Sequence, residues 1–253
     1  GVEMLMDEAV TGFSYKNKSI EKVITTKGAY DFDVVVGGAD YHHIESQLLP
    51  TEYRNYSESY WDKRVMAPSS LLFYIGVNKE LPNMLHHVLF FDEDFKQHAK
   101  EIYQDPKWPT KPLLYTSATS KTDKSVAPEG HENLVVLIPV APDLQDTEET
   151  REHYYQIVMD RLESFTGTNI RDHVVCKRSF AHKDFINDYN SFKGNAYGLA
   201  NTLTQTAILK PSLKNKKLKN LYFTGQLTVP GPGVPPSIIS GEVVAREIQK
   251  DFK

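Results

Sequence analysis

Residues 220–248 read NLYFTGQLTVPGPGVPPSIISGEVVAREI, and three glycines and four prolines fall between an apolar strand and the start of a helix. The pattern predicts a strand over Leu218–Thr224, ended by Gly225, and a helix from Pro235 onward. In that helix Ile238, Gly241, Ala245, Ile248 and Phe252 share one face, and Glu242, Arg246 and Lys250 lie on another. A strand, a glycine turn and a helix start together present unpaired N–H groups and a positive charge of about half a unit. Pro235 and Pro236 suit the first helical turn but delete two donors from it. The amides left for a ligand are those of Gly231, Gly233, Val234, Ser237 and Ile238, fewer than a phosphate cradle uses. That deficit points towards a flat ring needing one or two hydrogen bonds and a positive helix end. Gly231 and Gly233 would let backbone lie against the ring face. A rigid turn with no ligand satisfies the same spacing.

The rest of the chain brackets this motif with matching texture. Residues 8–36 read as a β-meander, with Ala9–Tyr15, Ile20–Thr26 and Ala29–Val36 extended around turns at Lys16-Asn17-Lys18 and Lys27-Gly28. Phe32–Val36 is a β-branched run of the kind covered on both faces, and Asp40 is placed to cap a short helix that Pro50 stops. Between them the texture is mixed. Ser70–Val77, His87–Phe90, Leu113–Ser117 and Asn133–Val140 read as strands. Glu148–Phe165 reads as a helix whose core stripe is Tyr155, Val158, Met159, Leu162 and Phe165. The expected architecture is α/β with an α+β insertion carrying a mixed, largely antiparallel sheet. Its parts are residues 1–50 and 211–253 as one domain and 51–210 as the domain inserted in it.

Bulk properties narrow the function. The 253 residues can bury a sizeable core, and a formal charge of −4 with a pI near 6.2 removes the electrostatic case for nucleic acid. Lys214, Lys216, Lys217 and Lys219 read as a solvated loop. The single Cys176 excludes an internal disulfide framework and fits a reducing compartment. The longest apolar run, Leu134–Val140, is far short of the ~20 residues of a membrane span. No export signal opens the chain, which starts Gly1-Val2-Glu3-Met4 as though inside an extended segment of a longer gene product.

Four stretches in register resemble the bacterial-type phytoene (carotenoid) desaturases, within the wider flavin-containing amine oxidase-like group. They are FDVVVGGAD at 32–40, SKTDKSVAPEGHENLVVLIPV at 120–140, FKGNAYGLANTLTQTAILKPS at 192–212 and YFTGQLTVPGPGVPPSIISGEVVAREI at 222–248. The resemblance implies the C-terminal part of a two-lobed flavoprotein. Its FAD domain, of FAD/NAD(P)-binding dinucleotide type, would comprise 1–50 and 211–253, with a substrate domain inserted. It implies FAD-dependent desaturation of a long polyisoprenoid such as phytoene, a hydride equivalent passing to oxidised FAD. Carried over by position, Gly225, Gln226, Gly231, Gly233, Val234 and Pro235 line the flavin; the group often has an acidic residue where Gln226 stands. Reduced flavin is negative around N1 and the C2 carbonyl, so a helix terminus aimed there favours reduction. The glycine fingerprint for the FAD pyrophosphate is absent: no G-x-G-x-x-G occurs, so a missing N-terminal segment is an expected partner and the chain alone is expected to bind FAD poorly.

Removing hydride from a hydrocarbon needs an electron sink near the breaking C–H bond, and a base only if a proton leaves with it. No decisive base is visible. His42, His43, His182, Asp184 and Asp188 read as surface or capping residues, and Tyr197 in the GNAYG loop is the catalytic candidate that the resemblance places near the cofactor. The histidine pairs at 42–43 and 86–87 point in different directions and lack a third ligand, so no metal is expected. Trp61, Phe73, Tyr74, Phe90 and Phe91 line a tunnel for an apolar chain or else belong to the core. A redox-neutral flavin-dependent carotenoid cis-trans isomerase and a non-catalytic lipid-binding fragment stand as alternatives. The expected location is cytoplasmic, with peripheral contact on the cytoplasmic face of a membrane that supplies the hydrophobic polyene.

Overall fold

Asn17 and Lys18 both adopt positive φ, 52° and 59°, the geometry that reverses a chain without splaying the strands it joins. In the computed structural model, which describes residues 1–253, this reversal joins β1 (Val10–Lys16) to β2 (Ser19–Thr25). The chain continues through β3 (Ala29–Asp31), β4 (Val35–Gly37), α1 (Tyr41–His43) with a π-helical extension over Ile44–Leu48, and α2 (Glu58–Asp62). Next come β5 (Ser69–Val77), β6 (His87–Phe90), α3 (Phe95–Tyr103), β7 (Leu114–Ser117) and β8 (Glu132–Val140). The remaining elements are α4 (Glu148–Thr166), β9 (Val174–Phe180), α5 (His182–Tyr189), β10 (Leu221–Phe223) and α6 (Val234–Asp251).

These elements form two compact units, one of residues 1–67, 189–192 and 197–253, the other of residues 68–188 and 193–196. Segments 51–67 and 197–210, expected in the insertion, are built into the first unit. Trp61, Met66 and Leu199 join its core, and Met66 bridges Leu199.

The first unit holds an antiparallel sheet β1-β2-β3 and a parallel pair β10-β4, with Leu221, Tyr222 and Phe223 opposite Val35, Val36 and Gly37. Residues 29–36 are therefore two short strands in different sheets, not one. The Phe32–Val36 run is not covered on both faces of this unit: Phe32 and Val36 are about half exposed. Gly37 lies so close to Ile44 that a Cβ would stand 2.6 Å from its Cδ1, which suits a glycine as the last residue of the strand. Asp40 caps α1 through the His43 amide, as its position predicts, and Leu49-Pro50 ends the helical run.

The core of this unit is aromatic: Tyr41 stacks on Phe223 at 3.8 Å between centroids, with Trp61 and Tyr56 edge-on or tilted around them. Within it Glu45 is buried and accepts from the Asn55 amide at 2.6 Å and the Trp61 indole at 3.2 Å. Burial dominates those hydrogen bonds and pushes its carboxyl up to about 7. The folded value exceeds the unfolded one, so this group's contribution is complete below the ordinary carboxylate range and is lost as pH rises through about 7. Between pH 5 and 8 the unit is expected to lose on the order of 2 kcal/mol from this source, and a Glu45→Gln variant to show no such slope in urea midpoints.

The second unit is a five-stranded sheet of order β6-β7-β8-β5-β9, antiparallel at every pairing. Strand β8 alternates between buried and half-buried positions, and Leu134, Val136, Ile138 and Val140 meet Leu71, Phe73 and Ile75 of β5 in one core. Helix α4 adds Tyr154, Tyr155, Val158, Met159 and Leu162 to it and ends at Gly167 in the left-handed region. Phe165, expected in that stripe, is instead 40% exposed and packs edge-on against Phe90. Of the aromatic tunnel candidates, Trp61 belongs to the core of the first unit and Phe73 to that of the second.

Candidate cofactor site

The site is assembled by three segments of the first unit. Strand β10 runs into the turn 224–233, and the turn is bolted to α6 by Ser240, fully buried. Its hydroxyl accepts the Gly225 amide at 2.8 Å, meets Thr224 Oγ1 at 2.6 Å and donates to Ser237 O at 2.6 Å. This polar clamp resets the helix. The buried seam of α6 runs through Ser240 and Val244, while Ile238, expected inward, is 71% exposed and Ala245 also faces out. At the far end Tyr222 Oη donates to Asp251 at 2.5 Å, and Lys214 pairs with the same carboxylate.

The amides of the turn divide into used and unused. Thr228 N donates to Gly225 O and Ser237 N to Gly233 O, and Ile238 lies inside the helix, so the last two of the five expected donors are consumed. Gly231, Gly233 and Val234 keep N–H groups with no acceptor. Gly233 caps α6 at φ 106° without a side-chain bond, so the positive end of an 18-residue helix is left open. Pro235 and Pro236 occupy the first turn, as expected.

The loop carrying Tyr197 meets this turn directly. Gly198, at φ +84°, is packed so closely that a Cβ would stand 2.6 Å from the Gln226 carbonyl oxygen. Tyr197 is 37% exposed and precedes that contact by one residue. Gly225, Gln226, Gly231, Gly233, Val234, Pro235 and Tyr197 are thus gathered within one unit around one turn. The turn has one further buried neighbour, Lys210, whose side chain lies along Gly231, with Cε 3.1 Å and Nζ 3.5 Å from where a Cβ would stand. Its sequence signal is slight, a lysine before Pro211 at the end of an apolar triplet.

The other polar candidates are engaged elsewhere. His42 bonds Glu58 at 3.0 Å; His182 is buried in the second unit with Nε2 on Ala141 O; Asp184 bonds Arg151 and the Ala181 amide; Asp188 is exposed. His43, half-buried beside its capping Asp40, has its pKa lowered by burial. His86 and His87 stack on each other and bond Thr122 and Tyr115.

The architecture matches that of a solved oxidoreductase from Methanosarcina mazei, with a TM-score of 0.61 at 12% identity over 94% of this chain and 49% of that one. The fold is thus one that oxidoreductases use. No family model matches. Among curated proteins, a carotenoid 3,4-desaturase from Haloarcula japonica is 44% identical over 87% of this chain. A 4,4'-diapophytoene desaturase (4,4'-diaponeurosporene-forming) from Staphylococcus haemolyticus is 32% identical over 88% of it. The chain belongs to the carotenoid desaturase family. It spans about half the length of these relatives, 44% and 46%.

Proposed function

We propose that the full-length protein desaturates a long polyisoprenoid of the phytoene or carotenoid class with FAD as its cofactor. The observation that carries the reading is the trio of acceptor-free amides at Gly231, Gly233 and Val234 on an open helix end, in a chain of the carotenoid desaturase family. Three donors and a positive terminus suit the carbonyl edge of a flat ring better than a pyrophosphate, and Gly231 and Gly233 keep side chains off its face. Gly225, Gln226, Gly231, Gly233, Val234 and Pro235 would hold the ring. A bound flavin supplies the two-electron acceptor for the two hydrogens lost as a C=C bond forms.

The chain's own groups fix the rest. The Ser240 clamp holds the turn against the helix, the Gly198–Gln226 contact brings Tyr197 to the turn's edge, and Tyr197 is the side chain offered to the reacting end. Residues 1–67, 189–192 and 197–253 act as the flavin lobe and residues 68–188 and 193–196 as the substrate lobe, while pyrophosphate recognition falls to residues outside this chain. No helix is long and apolar enough to cross a membrane. Substrate delivery is assigned to peripheral contact with a membrane surface on its cytoplasmic side.

Full-length protein supplied with FAD and with phytoene-type polyenes in liposomes should yield products lighter by two hydrogens per step, and should float with the vesicles. Unchanged mass with altered double-bond geometry would make it an isomerase instead. Absence of both product and flavin absorbance would leave a lipid-binding module.

A further inference from the structure

Lys210 is buried at 5% exposure, yet no carboxylate pairs with it. Its three donors share one long bond, to Leu199 O at 3.5 Å. The position is dictated locally: a one-turn helix over Ala207–Leu209 ends at Lys210, and Pro211 behind it holds Lys210 extended at φ −71°, ψ 161°. The side chain therefore turns inward, while its neighbours Ile208 and Leu209 stay exposed. Desolvation depresses its pKa, as expected for an ammonium that burial removes from water without a counter-charge. An arrangement so unfavourable to folding persists where function needs it.

What the amine faces is Gly231. That residue is buried, sits at φ +137°, carries one of the three acceptor-free amides, and has Lys210 Nζ and Asn201 Oδ1 within 3.5 Å and 3.3 Å of its missing side chain. We propose that Lys210 is a positioning residue of the cofactor site, a buried cation behind Gly231 that favours the reduced, negatively charged form of the ring held on the turn. The inference rests on the flavin reading above. A neutral hydrocarbon offers an ammonium nothing, whereas a ring that gains negative charge on its carbonyl edge offers it an acceptor. Lysine adds to the helix end and the free amides a full charge at a site that excludes water.

The test uses the full-length holoprotein and its Lys210→Met and Lys210→Arg variants, with the flavin midpoint potential read spectrally against a redox dye. Lys210→Met should weaken binding of the reduced relative to the oxidised flavin by about tenfold, which for a two-electron couple lowers the potential by about 30 mV. Lys210→Arg should restore most of it. The flavin-free Lys210→Met protein should melt at a higher temperature than the flavin-free parent, because an unpaired buried charge has gone. A Lys210→Gln variant serves the same comparison if methionine does not fold. Flavin bound at the parental potential in the neutral variants would overturn the role of Lys210 alone. A full-length parent that retains no flavin would overturn this role and the flavin reading together.

Discussion

A Gly198→Ala substitution is expected to destabilise the first unit by about 3 kcal/mol and to release any flavin held on the turn. The new Cβ would stand 2.6 Å from the Gln226 carbonyl oxygen and 2.9 Å from its carbon, closer than such atoms approach in real proteins. Both are backbone atoms, so no rotamer relieves the overlap; the turn itself must move. The φ of +84° adds strain for any residue with a side chain. Gly167 supplies the control: it too has positive φ, +67°, but a Cβ there meets nothing within 4 Å. Gly167→Ala should therefore cost only about 1 kcal/mol, the price of the left-handed backbone. Trp61 and Gly198 lie in the first unit and Trp108 and Gly167 in the second, so Trp61 emission in a Trp108→Phe background reads the Gly198 variant and Trp108 emission in a Trp61→Phe background reads the Gly167 variant. Equal losses in the two glycine variants would show that the Gly198–Gln226 packing yields, and that the Tyr197 loop is not held against the turn.

Arg151→Met should cost the second unit about 3–5 kcal/mol, as removal of one partner from a buried ionic cluster does. Its guanidinium grips Asp146 with two bonds of 2.7 and 2.6 Å, reaches Asp184 at 2.6 Å and donates to Ser179 at 3.2 Å. Methionine fills a similar volume but strands two carboxylates, one of them 3% exposed. The pH dependence identifies the cause. Burial pushes the Asp146 carboxyl up, but the Arg151 hydrogen bonds and the Lys183 amide outweigh it and hold the group below its ordinary value. In the parent, its contribution is present above the unfolded value and lost as pH falls through the folded one. In the variant Asp146 takes up a proton on folding at higher pH, so the deficit should shrink as pH drops from 7 to 4. Trp108 emission against urea at several pH values measures it, and a deficit constant over that range would assign the loss to packing.

Most of the second unit was legible because β5, β7 and β8 bury alternate or continuous apolar positions, and α4 carries its apolar residues at helical spacing. Strand β9 escaped because Cys176, Lys177 and Arg178 make its middle polar. It is an edge strand paired only to β5, so no second face needs apolar cover. Helices α3 and α5 escaped because their sequences, FKQHAKEIY and HKDFINDY, place few apolar residues in each short span. The face of α6 departs from its hydropathy for a different reason: a serine hydroxyl bonding the Gly225 amide fixes its rotation, and hydropathy does not register such a bond. In the site itself the glycines and prolines announced the turn and its shortage of donors. The Gly198–Gln226 contact has no local signature, and the lysine before Pro211 shows only slightly that Lys210 turns inward, since what each meets, Gln226 and Gly231, lies far along the chain.

The pairing of β4 with β10 sets a schedule for biogenesis. Strand β4 emerges from the ribosome roughly 180 residues ahead of its partner, an interval of about 10–40 s at ordinary elongation rates. During that time the inserted unit, nearly continuous from Pro68 to Asp188, has all its strands and can close, while Val35–Gly37 waits for Leu221–Phe223. The inserted unit can thus mature first, and the Tyr41–Phe223 stack sets only after translation has delivered β10.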